Sequence, residues 1–422
     1  MTSLKKLIAV VAASLPLAAS AQQAAAPAPL YQWYGSLNVN GQYTEFPKPT
    51  KSATAVSVSG RTGVSVDSSN IGIRGTVDTG QAGLGVVYQC ETSAQIDGDA
   101  AAFVVCNRNS RLGISSAYGT LFYGNWDSPY KAAWYGTKAD DAFGNTDIYD
   151  AAGIMGSPGF KTTSSAGSSA ANAPNASATF NVRTANSITY HSPKFSGVSA
   201  KLQYGTNEHA SNDGRFSGAL YSAVLNYDAG PISVLASWER HDDWAGMNVV
   251  GLGSAALTTT AATAKNTVDQ GFKVGAGYEL GTSLGTTTLG AVWEILLFGY
   301  ANTHAPLATG NVKDAQRQAF MVNLKHRTGN HELRARYQYA DGGKCTLQGG
   351  GNCPRSGFGA QNYAVGYAYY LTSAAQVYAF FTKIENQHNA SYTFATAGPA
   401  AKANFTAGAD PTGVGLGVRY AF

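Results

Sequence analysis

Charged side chains in this chain fall on alternate positions of extended segments. Glu332, Arg334, Arg336 and Gln338 alternate with Leu333, Ala335, Tyr337 and Tyr339, and Lys201 and Gln203 with Ala200, Leu202 and Tyr204. By this parity Arg74, Arg111, Lys201, Lys273, Lys325, Arg334, Arg336 and Arg419 share one face with Glu239, Glu279, Glu294 and Glu332. The chemistry open to such a set is electrostatic. A basic excess around a confined aqueous space focuses a field that favours anions, whereas about half of the groups could simply pair across neighbouring strands.

A second charged set lies in a polar stretch at 127–185, with Asp127, Asp140, Asp141, Asp147 and Asp150. A connection of that length is usually functional. Residues 162–178 are rich in Ser, Ala, Asn and Gly, while Trp134, Tyr135, Phe143, Ile148, Tyr149, Ile154 and Met155 can pack against a wall. Folding inward to narrow a wide barrel is the expected role of that part.

Four cysteines form two local pairs, Cys90 with Cys106 and Cys345 with Cys353. In an oxidising compartment both read as disulfides, the second contributing about 2.5 kcal/mol by loop entropy. Neither pair has CxxC spacing and no His lies beside them, which argues against zinc. His191, His209, His241, His304, His326, His331 and His388 are scattered, with no partnered nucleophile, no GxSxG, no P-loop and no dinucleotide fingerprint. The chain is therefore expected to be no enzyme and to need no cofactor. The formal net charge of +4 is dispersed, which excludes a nucleic-acid face.

The elements that must hold these groups are strands. At the C-terminus, Val414, Leu416, Val418, Tyr420 and Phe422 alternate with Gly413, Gly415, Gly417, Arg419 and Ala421. Similar alternation recurs through Tyr31, Trp33, Leu37, Val39 and Tyr43, through Ile71, Ile73 and Val77, and through Phe272, Val274, Ala276 and Tyr278. One greasy and one polar side, repeated along the chain, is the pattern of a transmembrane antiparallel β-barrel. An Arg or Lys on the lipid side would cost roughly 2 to 4 kcal/mol at the bilayer midplane, so the single parity of the charges is required.

Tight turns alternate with long polar loops, the latter near 45–67, 93–107, 127–185, 206–217, 241–268, 298–315, 341–360 and 386–411. Seven turns and eight loops require about sixteen strands, wide enough for an aqueous channel. Lys5 and Lys6 before the apolar run 7–19, with small residues following, predict a signal peptide over 1–21. Residues 22–30 read as a flexible leader and 31–422 as one barrel.

Residues 67–85 (DSSNIGIRGTVDTGQAGLG), 107–126 (NRNSRLGISSAYGTLFYGNW), 187–197 (SITYHSPKFSG) and the terminal GVGLGVRYAF resemble the corresponding segments of the general porins of β-proteobacteria, the Neisseria, Bordetella and Comamonas type. The likeness is spread over essentially the whole mature chain. It implies an outer-membrane homotrimer of sixteen-stranded barrels, passive diffusion of small hydrophilic solutes, a third loop forming an eyelet, and a terminal Phe422 read by the barrel-assembly machinery. Outer-membrane lipid and lipopolysaccharide would surround it. Members related to the Comamonas porin line the eyelet with arginines facing acids of the third loop. Arg74, Arg108 and Arg183 match basic positions of that pattern and Arg111 is a nearby addition, while two further arginines of the family are Asn70 and Asn125 here. The expectation is a general diffusion channel with mild anion preference. A substrate-selective channel and a loop-based adhesin are the alternatives.

Overall fold

The computed structural model describes residues 31–47, 58–81, 83–98, 104–144, 149–159, 179–206, 218–242, 251–252, 255–256, 267–300, 312–347, 349–352, 356–394 and 407–422. The expected signal peptide and leader lie outside them. Sixteen antiparallel strands close into a barrel. They are β1 (Gln32–Phe46), β2 (Val58–Ser65 continued by Asn70–Asp78), β3 (Gly85–Ser93), β4 (Ser110–Ser116), β5 (Gly119–Asp127), β6 (Arg183–His191), β7 (Val198–Gly205) and β8 (Ala219–Ala229). Then follow β9 (Ile232–Asp242), β10 (Thr267–Thr282), β11 (Gly285–Tyr300), β12 (Val312–Thr328), β13 (His331–Ala340, extended by Lys344–Leu347), β14 (Ala360–Tyr370), β15 (Ala375–Asn386) and β16 (Thr412–Ala421). No described helix is long and apolar enough to cross a membrane, which says nothing of a barrel.

Each strand pairs with its sequence neighbours, and β1 pairs with β16 from Ser36↔Ala421 to Glu45↔Thr412, so no edge is left open. The alternation has the expected sense. Leu416 is 67% exposed on the outside, whereas Asn38, Asn40, Gln42 and Thr44 of β1 are buried on the inside. The glycine side of β16 gives space to inward aromatics of β15: a Cβ at Gly417 would meet the ring of Tyr378, and one at Gly415 that of Phe380.

One loop assignment needs correction. Val58–Ser65 lies in the stretch read as loop 45–67, yet it pairs with Asn40–Phe46 of β1, while Asn70–Arg74 pairs with Gln32–Ser36. The two segments are one strand broken at 66–69, where Ser68 takes φ 49° and Asp67 accepts hydrogen bonds from Ser65 and Asn40. Val58–Ser65 carries Ser, Arg and Thr with little apolar alternation, so its period gives no membrane signal.

Candidate pore and its lining

Two halves of the barrel ring differ in what they carry. The described parts of the third long loop, 128–144, 149–159 and 179–182, fold into the lumen and lie along the inner wall of β8–β15. Its feet are tied by a cross-strand pair: Asp127 ends β5, Arg183 opens β6, and the two meet at 3.1 Å. Lys131 pairs with the same carboxylate at 2.8 Å, and Asn109 donates to it at 3.0 Å.

Further in, Glu294 of β11 gathers the loop. It accepts from Tyr130 Oη at 2.9 Å and from the Gly156 amide at 2.6 Å, and it pairs with Arg317 at 2.8 Å. Arg317 donates to the carbonyls of Ile154 and Ser157, at 2.8 Å each. Lys273 lies over the rings of Tyr130 and Trp134, at 4.0 and 3.8 Å, and donates to the Tyr130 carbonyl at 3.1 Å. Tyr130, Lys273, Glu294 and Arg317 are all buried. Charges so enclosed hold one another in place, because a lone buried charge is strongly destabilising, and they are withdrawn from any solute in the lumen.

The loop then descends toward the turn side. Lys138 pairs at 2.6 Å with Asp228, near the end of β8. Arg336 Nη1 donates to both oxygens of Asp141, at 2.8 and 2.7 Å, and Asp141 also accepts from the amides of Phe143 at 3.1 Å and Ala151 at 2.8 Å. Beneath this segment runs a register row of Gly277, Gly290, Asn323 and Arg336. A Cβ at Gly277 would lie 2.1 Å from the Lys138 carbonyl carbon, and one at Gly290 would lie 2.9 Å from Ala139 Cα. The missing side chains make the seat of the loop. Trp134, Phe143, Tyr149, Ile154 and Met155 are buried as their apolar character predicts, Tyr135 is exposed, and Ile148 lies outside the described residues. The loop after β15 joins this layer, with the Ser391 amide donating to the Gly159 carbonyl at 3.0 Å and Phe394 edge-on to Phe46.

The other half of the ring carries cations. Gln32, Arg74, Gln89, Arg111 and Gly124 are successive register partners on β1–β5. Arg74 lies over Tyr34 at 4.5 Å, and Arg111 is 4.9 Å from the ring centroids of both Phe122 and Trp126. His191 and Lys201 are register partners on β6 and β7. Among the described residues no ion pair reaches Arg74, Arg111 or Lys201, nor Lys325 or Arg419.

Arg108 precedes β4 and pairs with Glu91 at 2.7 Å, while Arg334 pairs with Glu332 at 2.6 Å. Asp140 accepts from the Gly136 amide at 2.9 Å, and burial pushes its carboxyl up to about 7. Asp150 accepts from the Ala152 amide at 2.8 Å, and burial raises its pKa as well. Asp147 lies outside the described residues. Cys90 and Cys106 form a disulfide; Cys345 is disulfide-bonded too, and Cys353, its expected partner, lies outside the described residues. Phe422 ends the chain at the β1–β16 seam, where its amide donates to the Gly35 carbonyl.

A family profile described as Gram-negative porin matches residues 8–389. The chain belongs to the Gram-negative porin family. This porin is similar to the major outer membrane protein P.IB of Neisseria meningitidis serogroup A, 29% identical over 241 residues, which is 57% of this chain and 60% of that relative. It therefore aligns with less than two thirds of that relative's length. A serogroup B form of the same relative is also 29% identical, over 239 residues, 56% of this chain and 60% of the relative. Among solved structures, the anion-selective porin from Comamonas acidovorans superposes with a TM-score of 0.64 at 20% identity, covering 93% of this chain and 99% of that one. The trimer form of OmpT from Vibrio cholerae gives 0.56 at 15% identity over the same shares. These structural likenesses speak for the fold. Family and fold are those of channel proteins, and the family places this porin in the outer membrane of a Gram-negative cell.

Sequence reasoning missed Tyr130 and Arg317. Carrying the alternation of β12 back from Phe320 puts Arg317, Ala319 and Met321 on the inner face, so the signal for Arg317 was available. Tyr130 and the glycine seat carry no such local mark.

Proposed function

We propose that this porin forms a water-filled diffusion channel for small hydrophilic solutes and ions, with a mild preference for anions. The observation that carries the reading is the asymmetry of the lumen. Arg336 and Arg183 are paired with acids of the loop and its feet, and Lys273 and Arg317 share Glu294 of the wall. Arg74, Arg111 and Lys201 face the lumen from the half of the ring without the loop and have no described ion-pair partner. In a narrow aqueous space that excess raises the local anion concentration. Asp140 and Asp150 on the loop moderate it.

The same reading gives the chain no catalytic role and no cofactor. Export would remove residues 1–21, Phe422 would serve the barrel-assembly machinery, and three copies would associate amid outer-membrane lipid and lipopolysaccharide. The trimer form of a structural neighbour supports the last of these.

Planar-bilayer recording of the purified protein tests the reading. Current steps in triplets, with a reversal potential on the anion side of a salt gradient, are expected. A cation-side potential would overturn the charge assignment, and a folded barrel without conductance would overturn the channel.

A further inference from the structure

The cations on β2 and β4 are held on aromatic rings. Arg74 rests on Tyr34 and Arg111 on Phe122 and Trp126, while Phe122, Trp126 and His191 contact one another edge-on at centroid distances of 4.9, 5.0 and 6.1 Å. Phe122 is fully buried while Trp126 and His191 are half-buried, so Trp126 is the larger of the two rings of this cluster left partly open. Gly124, next to Arg111 in the register row, adds no side chain there.

Arg111 has further unused capacity. Its Nε is buried without a hydrogen-bond partner among the described residues, and no described carboxylate pairs with the guanidinium. A guanidinium lying on aromatic faces keeps its in-plane N–H fork for a planar acceptor, and a carboxylate matches that fork. Arg74 stands two strands away, about 10 Å by strand spacing, and Lys201 adds charge from β7.

We infer that this row is a binding station for aromatic carboxylates, with the carboxylate on Arg111 and the ring against Trp126. The inference rests on the diffusion-channel reading and narrows it to a preferred solute class. Chloride and aliphatic carboxylates gain the charge of the row alone. An aromatic carboxylate also gains stacking on Trp126 and contact with the neighbouring cation–ring pairs.

Block of chloride current by benzoate and by cyclohexanecarboxylate, equal in charge and similar in size, tests this in the full-length reconstituted protein. Benzoate should half-block at roughly a fifth of the cyclohexanecarboxylate concentration, the gain expected of one ring contact. In Trp126→Leu the ratio should fall to about one, Trp126→Phe should retain most of it, and Arg111→Gln should weaken both blockers, by the loss of the shared charge-assisted contact. Equal half-blocking concentrations in the unaltered protein overturn the inference without involving any variant. So does an unchanged ratio in a Trp126→Leu barrel shown to be folded by its heat-dependent gel migration. An unaltered barrel that passes no chloride overturns the channel reading, and this inference with it.

Discussion

Gly35 and Phe422 exchange both backbone hydrogen bonds, each at 3.0 Å, and the Phe422 ring covers the position that a Cβ on Gly35 would take, 2.7 Å from its Cζ. The same Cβ would lie 2.6 Å from the Asn70 carbonyl oxygen, so the barrel seam is shut around a residue with no side chain. Gly35→Val should therefore loosen the seam at a cost of about 1 to 3 kcal/mol, in the range of other overpacked sites. Loss of the heat-resistant folded band at a lower temperature than in the unaltered protein would show it. An unchanged band would mean that the ring swings aside.

The glycine seat predicts a direct effect on the bore. Gly277→Ala places a methyl against the backbone of Lys138 and Ala139, so the loop must shift toward the lumen axis and single-channel conductance should fall. Gly281→Ala, on the same strand with nothing within 4 Å of the added carbon, is the matched control and should conduct normally.

Breaking the Asp141–Arg336 pair on one side should be worse than removing it entirely. Arg336→Met leaves a buried carboxylate without its counter-charge and should cost about 3 to 5 kcal/mol, seen as open-channel noise and protease cutting within the loop. Adding Asp141→Leu should recover much of that loss.

Selectivity should depend on pH through Asp140. Burial raises its pKa to about 7, so it is protonated and neutral below that pH and charged above it. Anion preference should then grow as pH falls through 7, and Asp140→Asn should flatten that part of the profile. Reversal potentials taken between pH 6 and 8 read the change.

Reduction of the Cys90–Cys106 disulfide, which spans a sequence separation of 16, should destabilise by about 3 kcal/mol. A urea titration with and without reductant measures it. Conductance should stay the same, because Cys90 pairs with Ile73 on the outward parity of β2 and β3.

The barrel itself was legible because lipid on one side and water on the other impose a period of two, and Leu416, Val418 and Tyr420 obey it where the chain ends. The inward loop was legible from its length and its buried aromatics. Other features left weaker marks. Val58–Ser65 has no lipid-imposed alternation and so resembles loop. Asp141 and Arg336 are 195 positions apart, and nothing local to either announces the other. Gly277 and Gly290 read as ordinary small residues of strands, since what they accommodate comes from a loop more than a hundred residues earlier.

The order in which this molecule can be put together follows from where the loop is tied. Among the described residues, the hydrogen bonds that hold 128–159 to the strands beyond its own feet end on β8–β13, and Ser391 adds one from the connection after β15. The strands β1 and β16 meet across almost the whole chain, where the Arg419–Ser36 hydrogen bond spans 383 positions. Ring closure over such a span carries the largest chain-entropy cost, whereas the ties to β8–β13 join the loop to strands that pair with their sequence neighbours. Those ties can therefore form while the wall is still an open, curved sheet, before the final pairing of β1 with β16 closes the ring.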